Sequence, residues 1–473
     1  MSGTYTAPVG RSTTQIFSAC TQYAAATLVA ALRAGQFGPR SEHRRILVVS
    51  DTSPAPELGT PMHHRPGFEK LASEFDTVRS WNEFIRPFHP AGWSPREQDA
   101  SLWERAVRRE WNLRDDEPVE IACESIQANP AQALAVIFGD SPVHVYADGL
   151  MSYGPTRNKL DQVLGTRIRR LLHLDLVPGL RPLLLTEFGV ESEVVPTDVF
   201  LKVLDELTEP TDVPRPTTTG TGTGTDGPDA PAPALLLGQY LSTLGILTPR
   251  QEEELHARMV RGAVALGHTR VVFKPHPSAP AQWARSLEQE AERLGAELTV
   301  LDTPVLAETL FATLRPALVV GCFSTALLTA ASFYGLPVAR VGTGPLLERL
   351  APYQNSNRIP LTIVDALLPD LEDRSAVTGW SLPDAEAVRG GPSGLVSTVG
   401  YAMQPQIRAD LRPVAERYLA RHRDDLRRYF KRRRLTVLGL PGGAPAQLGF
   451  IPRNATVRRI ARRARTLKRA AAG

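Results

Sequence analysis

The sequence predicts an α/β chain of two units, each a parallel sheet covered by helices, facing each other across a cleft. Three observations carry this expectation. Short runs rich in Val, Ile and Leu alternate with helical patterns along most of the 473 residues, the succession that builds parallel sheets. One stretch, 208–233, collapses into Thr, Gly, Pro and Asp and divides that succession in two. Several of the apolar runs stop at polar residues, which is where open parallel sheets keep their ligands.

A hydrophobic content of 42% with 22% charged residues is that of an ordinary globular protein, and the length suffices for two or three domains. The three cysteines, Cys20, Cys123 and Cys322, sit at or near the ends of apolar runs. They read as buried thiols rather than disulfides or a metal set, so a reducing, cytoplasmic location is expected. The first twenty residues have no basic start followed by an apolar core, and no apolar run approaches the ~18 residues of a spanning helix. Neither secretion nor membrane insertion is expected.

In chain order, 14–20 reads as a first strand, and a helical pattern over 22–32 is closed by Gly35 and Gly38. Residues 46–49 read as a second strand. Trp81, Trp93, Trp103 and Trp111 follow in mixed helical surroundings and are expected in a core or on a domain face. A third strand spans 119–123 and a helix 130–138. The run 143–147 then delivers Asp148 and Gly149 to the carboxyl edge of the sheet, where Asp-Gly is also a common tight turn. Apolar runs at 171–176 and 183–185 precede a helix at 197–207.

Residues 208–233 contain Gly in plenty, but no Lys-Ser/Thr follows and no strand-to-helix turn holds them, so they read as a flexible linker rather than a phosphate loop. Order returns with a strand at 234–237 ending in Gly238 and Gln239, then a helix over 249–266. The strand 271–273 stops at Lys274-Pro275-His276-Pro277, where proline on either side stiffens the turn that presents His276. A helix at 281–294, a strand at 298–301 and a helix at 307–314 follow. The strand 318–321 ends at Gly321 and carries Ser324 and Thr325 to the start of a helix over 326–334, before a last strand at 338–341. The units are therefore delimited as 1–207 and 234–425, with the final helices free to pack back on the first unit, and a tail at 426–473.

That tail is basic. No acidic residue follows Asp425, and 14 Lys and Arg lie between Arg427 and Arg469, leaving 40 basic against 50 acidic residues in the body. Over 456–469, Val457, Ile460, Ala461, Ala464 and Leu467 fall at helical spacing opposite Arg458, Arg459, Arg462, Arg463, Arg465 and Lys468. A basic amphipathic helix of this kind suits an anionic membrane surface, and a solvated tail is the plainer reading. No nucleic-acid module accompanies it, so nucleic acid is not an expected partner.

Asp148 from the first unit and His276, Ser324 and Thr325 from the second are expected to meet in one cleft. Ser324 and Thr325 either cap their helix or bind a phosphate at its positive end. Lys274 and His276 add positive charge or hydrogen bonds to the same group, and Asp148 can take a proton from a hydroxyl.

Lys274-Pro275-His276-Pro277, then Glu308, then Ser324-Thr325 resembles the nucleotide half of bacterial sialyltransferases, whose hallmarks are acidic-Gly, His-Pro and Ser-Ser/Thr motifs in that order. Asp148-Gly149 followed by Tyr153, the stretch Leu174-Asp175-Leu176-Val177-Pro178-Gly179, and Gly321 to Leu327 look most like the bacterial α-2,8-polysialyltransferase family, over roughly 12–350. The resemblance implies a GT-B fold of two Rossmann-like domains and an inverting transfer of sialic acid, or a related nonulosonic acid, from its CMP-activated donor. The acceptor would be a glycan or lipid-linked glycan hydroxyl, in surface polysaccharide or polysialic acid synthesis, with no cofactor or metal required. It implies Asp148 as general base and His276 as assistant to the departing phosphate. Lys274, Ser324 and Thr325 would hold that phosphate, Glu308 and Pro277 would meet the ribose and cytosine, and Gly238, Gln239 and Gly321 would complete the donor side. The family usually has two acids before the Gly; here Ala147 stands in place of the first. A CDP-glycerol-type polymer transferase, or a non-catalytic GT-B-like subunit of a capsule machine, remains the alternative.

Overall fold

The computed structural model describes residues 13–208, 231–239, 241–276, 282–303, 305–423 and 426–444. Most of the 208–233 linker, Pro277 and the amphipathic 456–469 stretch lie outside these residues.

Among the described residues, seven strands form the first sheet: β1 (Thr13–Ala19), β2 (His43–Val49), β3 (Thr77–Ser80), β4 (Val119–Cys123), β5 (Val143–Ala147), β6 (Ile168–His173) and β7 (Ser192–Val194), in the order β3-β2-β1-β4-β5-β6-β7. Five form the second: β8 (Ala234–Leu237), β9 (Arg270–Lys274), β10 (Glu297–Val300), β11 (Leu318–Gly321) and β12 (Val338–Arg340), in the order β10-β9-β8-β11-β12. Every pairing is parallel. The central strands are buried on both faces, β1 over six successive residues and β8 and β11 throughout. This is why they read as near-continuous apolar runs and not as alternating ones. The arrangement is the GT-B architecture that the resemblance implied.

Each sheet has one point where the strand order reverses, between β1 and β4 in the first and between β8 and β11 in the second. The connections leaving adjacent strands diverge at such a point and leave a crevice at the carboxyl edge. Both crevices face the same cleft.

The helix Gln22–Arg33 leaves β1 through Thr21, whose hydroxyl accepts from the Ala24 amide at 3.0 Å, and ten of its residues are buried. The helix Pro249–Ala265 starts with a reciprocal capping box between Thr248 and Gln251, which satisfies two helix-end donors at once. Trp81 and Trp111 are fully buried, and Trp93 and Trp103 pack against the same core. Cys123 and Cys322 are buried free thiols, whereas Cys20, expected to be buried, is only half so.

The differences from the sequence reading fall at the sheet edges. Thr77–Ser80 is half-buried at every position and Ser192–Val194 is short and polar, so neither edge strand shows an apolar run. The run 183–185 forms no strand. The amides of Leu183 and Leu184 both donate to the Ser152 carbonyl at 3.2 Å, and that of Leu185 to the Thr156 hydroxyl at 3.1 Å, so a neighbouring loop has claimed its donors.

After β12 the chain turns back. Gly400 lets the helix Pro392–Met403 press on the first unit, since a Cβ there would stand 2.9 Å from the Leu183 side chain and 3.5 Å from Pro155. Arg408 donates to the Leu183 carbonyl at 3.1 Å. The start of the basic tail is docked as well: Tyr429, Phe430, Leu435 and Leu440 are buried, and Arg428 pairs with the buried carboxylate of Asp365. Among the described residues no helix is long and apolar enough to cross a membrane.

Candidate active site

A cavity of about 640 Å³ opens between the carboxyl edges of the two sheets, and both units line it. Thr21, Glu124 and Asp148 come from the residues just after β1, β4 and β5. Gln239, His276 and Ser324 come from those just after β8, β9 and β11. Glu308 and Thr325 add the first turns of the helices Ala307–Leu314 and Thr325–Phe333.

The walls touch at the motifs themselves. The Leu150 amide donates to the Thr325 hydroxyl at 3.4 Å, and a Cβ on Gly149 would lie 3.2 Å from the same oxygen. A side chain at this position would crowd the Thr325 hydroxyl, so glycine suits the close approach of the Asp148 turn to the opposing helix. Ser324 is the N-cap of that helix, its hydroxyl accepting from the Ala326 amide at 3.3 Å. The capping reading is therefore fulfilled, at a helix end that opens on the cavity and favours an anion. Across the reversal point of the second sheet, the Gln239 side-chain oxygen accepts from the Phe323 amide at 2.9 Å and so fixes the backbone leading into Ser324.

Three carboxyl groups share this cavity, and all are held above their ordinary range. Burial, partly offset by a backbone hydrogen bond, pushes Asp148 up to about 6. Burial and then the charge of Asp148 push Glu124 up to about 8, against the pull of Arg157. Glu308 is raised to about 7 by burial, with the charge of Asp148 adding a smaller push. Buried together, these carboxyl groups resist being charged at the same time. The pKa of His276 is lowered by burial and by the charge of Lys274, which favours the neutral imidazole and so the hydrogen-bonding one of the two roles expected for it.

Three predicted donor residues stand behind the lining. Lys274 is buried and donates to the Thr303 carbonyl at 2.7 Å, its pKa lowered by burial. Gly238 packs where a Cβ would meet the Phe273 ring at 2.8 Å, and Gly321 where one would meet Leu327 at 3.3 Å. These three residues shape the ends of β8, β9 and β11 without lining the cavity. Glu124 was not singled out from the sequence, although it follows a recognised strand just as Asp148 does. With Cys123 paired to Val145, Glu124 stands level with Tyr146, one strand over and two residues short of Asp148. A second acid therefore reaches the cleft from the neighbouring strand, where Ala147 offers none. Arg157 and Gln127 line the cavity beside it. Among the described residues no cluster of three or more His, Cys, Asp or Glu has the arrangement of a metal site.

A family model described as Alpha-2,8-polysialyltransferase (POLYST) matches residues 15–343. No curated protein sequence matches the chain. Among solved structures, the GT-B domain of a sialyltransferase from Photobacterium damselae is similar at 10% identity, covering 74% of this chain and 95% of that one, with a TM-score of 0.37. A glycosyltransferase from Rickettsia africae shows 10% identity over 88% of this chain and 97% of its own, at a TM-score of 0.36. A UDP-N-acetylglucosamine 2-epimerase shows 13% identity over 82% and 96%, at 0.38.

Proposed function

The chain belongs to the alpha-2,8-polysialyltransferase family, and from that premise we propose that it transfers sialic acid, or a related nonulosonic acid, from its CMP-activated donor to a glycan hydroxyl with inversion. As a member of that family it is a glycosyltransferase of sialyltransferase type. The observation that carries the finer reading is the Leu150–Thr325 contact, which holds an acidic strand end of one unit against a phosphate-favouring helix start of the other.

In this reading the acceptor hydroxyl attacks the anomeric carbon as the bond to the CMP phosphate breaks. Asp148 takes the hydroxyl proton, and a carboxylate raised to about 6 is a stronger base than an ordinary one while still ionised at neutral pH. Glu124, raised by burial and by the charge of Asp148, favours its protonated form, so the pair favours a single charge over two repelling ones. The leaving phosphate collects charge, which the helix start at Ser324 and Thr325 and the His276 imidazole stabilise. Glu308, deep in the donor side with its pKa raised by burial, is suited to a ribose hydroxyl. The donor carries a single phosphate, so the reading asks for no metal and no cofactor.

The product belongs in surface polysaccharide or polysialic acid synthesis, where lipid-linked acceptors would favour attachment to the inner face of the membrane through the basic tail. The test is incubation of the full chain with CMP-sialic acid and both sialylated and neutral oligosaccharides in EDTA, followed by mass analysis. A mass increment of one or more sialic acid residues is expected. Thermal stabilisation by CDP-glycerol with none by CMP would shift the assignment to a polymer transferase of the glycerol type.

A further inference from the structure

A second cavity of about 640 Å³ lies in the first unit, outside the cleft. It is built on the carboxyl ends of β2 and β3: Ser50 and Asp51 follow β2, Asn82 and Glu83 follow β3, and the turn through Arg86, Phe88 and His89 closes it. Its frame is set by hydrogen bonds among its lining residues and to the neighbouring Ser53. The Asp51 amide donates to the Asn82 side-chain oxygen at 2.9 Å, the Asn82 side-chain nitrogen returns a bond to the Asp51 carbonyl at 2.9 Å, and His89 pairs with the Ser53 carbonyl at 2.8 Å. A pocket framed this way is largely pre-formed, and its size is that of a small-ligand site.

One group in it is left without a role. Ser50 is 3% exposed and lines the cavity, yet its hydroxyl has no hydrogen-bond partner. Leaving a buried hydroxyl unpaired is costly, and a ligand hydroxyl would remove that cost. The His63 Nδ1 on the same wall is likewise buried and unpaired.

Position relates this cavity to the cleft. All strands of the sheet are parallel, so β2 and β3 end on the same edge as β4 and β5. Three strand spacings, about 15 Å, separate β2 from β5. The charges of Asp51, Glu124 and Asp148 all act on Cys20 at the end of β1 between them, which marks the two sites as neighbours.

The lining also selects a ligand class. Asp51, Glu57 and Glu83 face one arginine, Arg86, and burial lowers the pKa of His63, which favours its neutral form. This balance repels a carboxylate-bearing sugar and suits hydroxyl groups, which carboxylates and amides bind in pairs. Phe88, 52% exposed at the rim, with Met62, Pro61 and Pro87, supplies apolar surface for the C–H face of a sugar ring.

We propose that this cavity holds uncharged, hydroxyl-rich inner sugars of an oligosaccharide acceptor whose terminal hydroxyl reaches Asp148. The proposal rests on the transferase reading, and it goes further: an acceptor made of sialic acid throughout is a poor fit, and a neutral glycan is the preferred starting point.

The experiment uses the full chain on a glycan array carrying neutral hexose and N-acetylhexosamine oligomers beside α-2,8-linked sialic acid oligomers. Neutral oligomers are expected to bind more tightly, with affinity falling about 3- to 10-fold in Ser50→Ala, the equivalent of one lost hydrogen bond, and comparably in Phe88→Ala. Melting temperatures check that both variants fold. Binding of neutral glycans unchanged in both variants, tighter binding of the sialic acid oligomers, or no glycan binding at all would overturn the proposal. Hydrolysis of CMP-sialic acid by the unaltered chain is followed separately. Its absence alongside variant-sensitive glycan binding would sink the reaction and leave the pocket standing.

Discussion

Leu150 and Thr325, 175 positions apart in the chain, are joined by a hydrogen bond of 3.4 Å from the amide of one to the hydroxyl of the other. The residue before Leu150 is Gly149 and the one before Thr325 is Ser324, so two motifs from different sheets are in register with each other across the cleft. The same hydroxyl that steadies the wall lies where a donor phosphate would be bound. Thr325→Val removes it while keeping the shape. The expected outcome is a donor KM raised about 10-fold and a loss of about 1 kcal/mol in stability, measured by initial rates and by urea unfolding. An unchanged KM would remove Thr325 from the donor site.

Asp148→Ala is expected to leave CMP affinity within a factor of two and to lower transfer by about 10²- to 10⁴-fold, the usual range for a lost general base. Its pH signature follows from its raised pKa: the base works only when ionised, so the rate in the unaltered chain rises as pH climbs through about 6 and then levels. A rate already flat at pH 5 would exclude Asp148 as the titrating group.

His276→Ala should weaken both CMP binding and turnover, by about 10-fold or more in kcat/KM. Because burial and Lys274 favour the neutral ring, a neutral donor can replace part of it, and His276→Gln is expected to recover some binding. Isothermal titration with CMP distinguishes the two, and normal turnover in the alanine variant would end the phosphate assignment.

Glu124 makes the chain pH-sensitive in its stability. Its folded pKa is raised well above the unfolded value, so the folded state favours the protonated form. Its contribution is intact below the ordinary glutamate pKa and is lost as pH rises toward about 8. Glu124→Gln should therefore raise the melting temperature at pH 8 by about 2 °C or more and change it little at pH 4. An equal change at both pH values would show that Glu124 is not held protonated.

The basic tail divides at its docked part. Because Leu435 and Leu440 are buried, cutting after Arg434 would expose the body, and the informative truncation falls after Ala444. Removal of everything beyond Ala444 is expected to abolish binding to anionic liposomes in a flotation assay while sparing hydrolysis of the CMP donor. Undiminished liposome binding would place the membrane contact elsewhere.

Much of this site was legible because parallel strands announce their ends. Asp148, His276 and Ser324 each follow a buried apolar run, and the run sets where a side chain emerges on the sheet edge. The same rule applied to Val119–Cys123 yields Glu124, which was passed over because Glu124-Ser125 lacks the Gly that drew attention to Asp148. Lys274 misled in the other direction. As the last residue of β9 its side chain direction is set by the pleat, and the Thr303 carbonyl that receives it belongs to a loop whose approach no local pattern encodes. Edge strands β3 and β7 were invisible for a related reason, since half-buried and exposed positions impose no apolar alternation. The cavity beside Ser50 depends on a turn at Arg86 to Pro90 meeting β2, a long-range fit beyond any window of sequence.

Gly400 and Arg408 hold the end of the second unit's sequence against the first unit's Leu183. The boundary between the units is thus not a point in the chain: the polypeptide leaves the first body once, near 208–233, and returns to it at about 390. Two stretches of polypeptide, not one, therefore tie the units together. A fragment cut only at the linker would carry an orphaned helix whose natural bed is on the missing half, and dissection into halves that fold alone needs both crossings severed.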